Sequence, residues 1–536
     1  MLWGSNARET HPIYFHHVLK GVRRGAKLYV IDPRRTSSAA WAHSWLGLSV
    51  GSDIALANAM AREILDAGLE NRAFIERATT GFDDYRASVE PYTLALAAEI
   101  TGVPAESIRE LAHAYARADR AEICWTLGIT EHHNAVDNVL AIINVALLTG
   151  HVGRYGSGLN PLRGQNNVQG GGDMGAIPNK FPGGQDVEDS ALRAKFERAY
   201  GRSIPPVRGW HLSQMFEAMD HGELRTLYVI GENPAQSEAD CARATKLLDG
   251  LDHMVVQDIF LTKTTELADV VLPAGAAWCE SDGTVTSSER RVQRVRKALD
   301  PPGEARDDIA ILCALAGRFG CDWGSPTAEQ VWDEVRSLSS WHAGMSYRRL
   351  EELGGIHWPC PNENDPGSPF LHGRLWADPI VGRPAPFTPV QFAPPVDELS
   401  PEFPLRLTTG RRLDSFNTGV QTEGYASPLR RGETIDLSLS DATRLGVREG
   451  ERVRVVSRRG AVEAPVRIDG GLTAGLAFMT LHFPDQVATN LLTIDATDPK
   501  SGTAEFKASA VRVEKLAPAE GEDQARVEVV EAMGRG

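Results

Sequence analysis

The run Leu162-Arg163-Gly164-Gln165-Asn166-Asn167-Val168-Gln169-Gly170-Gly171-Gly172-Asp173-Met174-Gly175-Ala176 suits contact with a small polar molecule and suits a core poorly. Arg163 carries a charge it does not lose and a planar fork of donors that matches a carboxylate or phosphate. The amides of Gln165, Asn166, Asn167 and Gln169 offer donors and acceptors together. The glycines let backbone come close to a ligand. The same composition also describes a solvated turn, so the rest of the chain has to decide between the two.

Similar polar clusters recur where strands should end. Met1-Leu2-Trp3 reads as the close of a strand, followed at once by Gly4-Ser5-Asn6. A helix is expected over 11–24 with Pro12 in its first turn. Lys27-Leu28-Tyr29-Val30-Ile31 is then a second strand, ending in Asp32-Pro33-Arg34-Arg35. In a β-α-β unit ligands sit beyond the carboxyl ends of the strands. Asp32 stands where a ribose hydroxyl is taken, and it fits a turn cap as well. Ser5 and Asn6 can hold phosphate, but the first turn lacks G-x-G-x-x-G, so a standard NAD site is not supported.

Gly51-Ser52-Asp53 leads into a helix over 54–67, where Asp53 also fits an N-cap. A strand over 123–127 delivers Gly128-Ile129-Thr130-Glu131-His132-His133. Adjacent histidines rarely face one ion, so no protein-held metal is expected there. A helix over 134–148 precedes the Arg163 stretch.

A second α/β section starts near residue 185. Strands over 224–230, 254–256 and 269–273 each meet a polar cluster: Gly231-Glu232-Asn233-Pro234, Gln257-Asp258-Ile259-Phe260, and Glu280-Ser281-Asp282-Gly283-Thr284. Two similar halves suggest two nucleotide-sized sites, although any parallel sheet has polar loops. Residues 340–400 are rich in Pro, Trp, His and Gly and read as an irregular covering connection. Beyond them, short strands between glycine turns suggest a small β-barrel. The last residues, 516–536, read as a loose acidic tail.

Composition sets outer bounds. At 536 residues the chain exceeds one core, and its formal charge of −15 leaves no basic surplus for nucleic acid. The longest apolar run, 139–148, is interrupted by Asn144 and is too short to span a bilayer. No secretory pattern opens the chain. The six cysteines are scattered without a C-x-x-C pair, which argues against an iron–sulfur cluster and favours reduced thiols, hence a cytoplasmic protein.

Taken in order, these clusters resemble those of the molybdenum or tungsten bis-pterin guanine dinucleotide oxidoreductases, and most of all the catalytic subunit of a metal-dependent formate dehydrogenase. The resemblance spans about residues 1–515 and rests on Gly4-Ser5-Asn6, Asp32-Pro33-Arg34, Gly51-Ser52-Asp53, Gly128-Ile129-Thr130, the run from Arg163 to Gly170 with Asp173-Met174-Gly175, Gly231-Glu232-Asn233-Pro234, Gln257-Asp258, Asp269 and Thr409-Gly410-Arg411. It implies an α/β fold with two pseudo-related dinucleotide-binding domains (1–165 and 166–400) and a six-stranded β-barrel domain (401–515). Gly4, Asn6, Asp32, Arg34 and Asp53 would hold one dinucleotide arm. Glu232, Asn233, Gln257, Asp258 and Asp269 would hold the other. Thr409, Arg411, Thr418, Asn490 and Lys507 would close over both. Ser5, Gly51, Gly128, Thr130, Gly164, Gly231, Gly410, His482 and Phe506 are also expected in cofactor contact. Arg163 would orient formate and Gln165 would support it, with the cofactor taking the electrons.

The family normally carries an iron–sulfur domain and then a Cys or selenocysteine metal ligand followed by His. Neither is found here, and no Cys-His pair occurs. The expectation is therefore the later three-quarters of such an enzyme, the rest lying in a longer frame or on a separate polypeptide. An electron-transfer subunit is the expected partner, with no nucleic acid and no membrane span. The alternatives are a scaffold that binds pterin without redox chemistry, or a relative acting on another small oxyanion.

Overall fold

The computed structural model describes residues 1–413 and 432–516. Its first strand is only Leu2–Trp3, with both side chains buried. That strand pairs in parallel with Tyr29–Ile31 on one side and Glu122–Trp125 on the other. Ser44–Leu46 and Gly158–Pro161 extend the sheet to five parallel strands. Strand order reverses between Leu2–Trp3 and Glu122–Trp125. Connections leave in opposite directions at such a point, and a crevice opens at the carboxyl ends.

Helices cover this sheet as their sequences dictate. Pro12–Arg23 begins with its proline at the first position, where the missing N–H has no partner to lose. Asp53–Asp66 is buried on nearly every side over its first half, because its alanines let neighbouring helices come close. It packs against Ala105–Arg117 and Ala135–Thr149. Among the described residues no helix is long and apolar enough to cross a membrane.

The second parallel sheet holds Thr226–Ile230, His253–Asp258 and Val270–Pro273. A separate antiparallel sheet holds Gly283–Thr286, Arg291–Val295 and Ile356–His357. The irregular covering segment has a specific task. Leu375, Phe387 and Val390 join the core of the first half. Asn144, the polar break in the longest apolar run, donates to Thr388 O at 2.7 Å and accepts from Thr388 N at 3.0 Å. Asn58 donates to Val390 O at 3.0 Å.

Six strands close the barrel: Leu405–Gly410, Leu476–Thr480, Ile435–Leu437, Ala461–Ile468, Arg452–Val456 and Ser509–Lys515. Alternation fills it from within, as Val453 and Val455 turn inward while Arg452 and Arg454 face out. Thr418 and all of the tail from residue 517 lie outside the described residues.

Candidate active site

The crevice at the strand reversal is a cleft of about 260 Å³. Two glycines shape its floor. Gly4 follows the first strand with φ +57°, and its carbonyl accepts from Gly128 N at 3.2 Å and Thr126 Oγ1 at 2.7 Å. A Cβ on Gly128 would stand 2.5 Å from Gly4 O, so the two strand ends meet only as glycines.

Of the expected residues, Gly4, Asn6, Asp32, Arg34, Gly51, Asp53, Gly128, Thr130, Arg163, Gly164, Gln165, Thr409, Gly410, Arg411 and Lys507 line this one cleft. Arg412 and His132 join them, so four arginines and a lysine line the cleft of a chain whose formal charge is −15. Several do double duty. Asp32 Oδ1 accepts from Arg34 N at 2.9 Å and so caps its own turn. Asn6 Oδ1 accepts from Ser38 Oγ at 2.8 Å, tying the two strand-end loops together. Asp53 begins its helix instead of capping it, and its carboxylate takes the Trp3 indole N–H at 2.8 Å. Burial raises the pKa of both aspartates, Arg34 and Lys507 opposing it at Asp32, and His132 and Trp3 at Asp53. Arg34 stacks 3.6 Å from the centre of the Phe478 ring, and Lys507 Nζ donates to Thr409 O at 3.0 Å and pairs with Glu131 at 2.8 Å.

Others lie elsewhere. Ser5 is wholly buried behind the floor, and its hydroxyl has no partner among the described residues. His482, buried just past the barrel strand Leu476–Thr480, accepts from Arg412 N at 2.9 Å, and Phe506 offers its carbonyl to Thr409 Oγ1 at 2.9 Å. Gly231, Glu232, Asn233, Gln257 and Asp258 stand at the carboxyl ends of the second sheet, outside the cleft. Asn233 takes Thr264 Oγ1 at 2.7 Å, and Gln257 donates to Asp308 at 2.6 Å. Asn490 bridges from the barrel to Ser237 O at 3.0 Å, beside a small second cavity. Asp269 does not join this group. It precedes its strand, at the opposite end of the sheet, where it accepts from Met254 N at 2.7 Å.

Arg163 stands two residues past the end of the strand Gly158–Pro161, exposed on the cleft wall. Its loop is not a solvated turn. The Ser288 hydroxyl bridges its backbone, 3.1 Å from both N and O, and His11 Nε2 reaches Arg163 O at 2.7 Å. Asn167 turns the chain with φ +63° and accepts from Thr286 N at 2.9 Å. A Cβ on Gly170 would sit 1.9 Å from that Asn167 oxygen. Sequence reasoning missed His11, Ser288 and Glu505, since each is more than a hundred residues from what it touches.

The paired histidines serve a carboxylate. His132 and His133 reach Glu505 at 3.1 and 3.3 Å, and His133 N donates to it at 2.9 Å. This joins the barrel side of the molecule to the floor beside Gly128.

Comparison with known proteins agrees with this geometry. A molybdopterin oxidoreductase family model matches residues 1–318, and a molydopterin dinucleotide binding domain model matches 405–510. The F420-dependent formate dehydrogenase 2 subunit alpha of Methanococcus maripaludis is 42% identical, over 96% of this chain and 76% of that relative. Formate dehydrogenase H of Escherichia coli is 36% identical, over 96% of this chain and 72% of its own length. Acetylene hydratase from Pelobacter acetylenicus shares the fold, with a TM-score of 0.74 at 21% identity, over 96% of this chain and 77% of that one.

The group this family binds, a molybdenum- or tungsten-bearing pair of molybdopterin guanine dinucleotides, fits the residues present. Arg34, Arg411 and Lys507 match its phosphates, Asp32 and Asp53 match hydroxyl and guanine N–H donors, and Gly4 with Gly128 keeps the floor clear of side chains. From its matched domains, its relatives and this cleft, the chain belongs to the molybdopterin oxidoreductase family.

Proposed function

We propose that this chain is the catalytic subunit of a formate dehydrogenase, converting formate to CO2, a proton and two electrons, or running the reverse. Arg163 carries this reading. Its terminal nitrogens make no hydrogen bond with any described residue, while Nε and the backbone are held. Formate offers little but its carboxylate, so an end-on guanidinium supplies both affinity and orientation. Gln165 lines the same wall and adds a hydrogen-bonding amide. When bound, the metal–pterin group supplies the acceptor for the two electrons. Arg34, Asp32, Asp53, Arg411 and Lys507 hold one dinucleotide arm in this reading, and Glu232, Asn233, Gln257, Asp258 and Asn490 take the other. Asp269 has no part in it. The Methanococcus maripaludis relative is named as an alpha subunit, which supports a separate partner that carries electrons away, and six free thiols favour a reducing, cytoplasmic setting.

Arg163→Ala in the holoenzyme tests the reading. The expected result is a higher formate KM and a lower kcat, together about 2–3 kcal/mol in kcat/KM. Unchanged formate kinetics would remove Arg163 from the site and the formate assignment with it.

A further inference from the structure

What aims the Arg163 guanidinium lies behind the cleft, on a short helix with no other assigned duty. Arg163 Nε donates to Gln169 Oε1 at 3.1 Å. Gln169 Nε2 donates in turn to Asp173 Oδ1 at 2.8 Å, one helical turn later. The second carboxylate oxygen of Asp173 accepts from the Trp358 indole at 2.7 Å. Trp358 is fixed by its stack on Trp341, with ring centres 4.5 Å apart and planes 8° from parallel.

Chemistry leaves this relay one orientation. A guanidinium only donates and a carboxylate only accepts, so the amide between them must turn its oxygen to Arg163 and its nitrogen to Asp173. A flipped amide would set donor against donor at both ends. Asp173 is buried and cannot swing away, because both of its oxygens are taken. With Ser288 gripping the Arg163 backbone, the arginine is held at both ends and its terminal nitrogens alone face the cleft.

We infer that Asp173 is a positioning residue for substrate: through Gln169 it fixes the direction of the Arg163 guanidinium. The inference rests on the formate reading of Arg163 and adds a residue that touches no substrate.

The test compares three holoenzyme variants, Arg163→Ala, Asp173→Asn, and Asp173→Asn combined with Gln169→Glu. Formate KM and kcat are measured for each, with the melting temperature and the dissociation constant of nitrate, a planar oxyanion without a hydrogen to surrender. In Asp173→Asn the new amide still accepts from Trp358, but its nitrogen now faces Gln169 and forces the flip. Formate KM and the nitrate constant should both rise about tenfold, with a smaller change in kcat. In the double variant the introduced carboxylate at position 169 accepts from both neighbours, and both constants should return to within about threefold of the starting enzyme. A purely structural Asp173 would lower the melting temperature or the loaded fraction and leave KM and nitrate affinity alone, which would overturn the proposal. A raised KM that the second substitution fails to rescue would overturn it too. If Arg163→Ala leaves formate kinetics unchanged, the formate reading falls by itself, and the nitrate constants still report whether Asp173 aims the arginine.

Discussion

Glu505 keeps its charge where burial opposes one. Its pKa nevertheless lies well below the usual carboxylate range, because the His132 charge and hydrogen bonds from both histidines outweigh desolvation. Burial would lower the pKa of His132, yet Glu505 and Asp53 raise it above the ordinary histidine value. The depressed carboxyl contributes stability above the unfolded carboxylate range and loses it as pH falls. The raised imidazole contributes stability below the unfolded histidine pKa and loses it as pH climbs through the raised value. Stability should therefore plateau between the two and decline on the alkaline side. Glu505→Gln leaves a buried imidazole without its carboxylate. It should cost about 3–5 kcal/mol near neutral pH and abolish the alkaline decline, read by urea unfolding across a pH series. An alkaline limb that survives in the variant would place the titration elsewhere. None of this was legible in the sequence, where the acid beside His132-His133 is Glu131, which pairs with Lys507 instead, and their own partner stands more than 370 residues away. Asp32 was legible twice over, as turn cap and as cleft wall, since one oxygen can cap while the residue still faces the crevice.

At the level of elements, the strand ends govern the site. The β-α-β reading of the opening residues and the strands near 123, 226, 254 and 270 could be placed from apolar runs meeting glycine and polar clusters. The sheet order could not, because pairing is written in contacts between distant segments. The reversal between Leu2–Trp3 and Glu122–Trp125 thus emerges only in the fold, and with it the reason for Gly128. Gly128→Ala would press a methyl into Gly4 O and Gly4 Cα at 2.5 and 2.7 Å, both backbone atoms. The strand ends must part, at a cost of about 1–3 kcal/mol. A lower melting temperature and less guanine nucleotide retained on purification are expected. Gly164→Ala, with nothing within 4 Å of the added carbon, is the control and should melt like the parent. Equal melting of the two would remove the close approach as the reason for glycine.

Across the whole molecule, distant segments complete one another's cores. The covering segment was read as irregular because it has little periodicity, and its fit to the first half depends on Phe387, Val390 and the paired bonds between Asn144 and Thr388. Asn144→Ala strands both backbone groups of the half-buried Thr388, so a loss of about 1–3 kcal/mol is expected, with faster proteolysis near 378–392. An unchanged urea midpoint would show the segment to be held by its apolar contacts alone. The barrel was legible from alternation and glycine turns, but not where it docks. Its strands begin at Leu405, and the acid that fastens it to the floor is Glu505. A chain leaving the ribosome makes its early residues first. Until residue 505 is made, His132 lacks the stronger of its two carboxylate partners and the floor beside Gly128 has no fastener. The last contact that fastens the barrel to the floor of the cleft is therefore made by one of the last described segments to be synthesised.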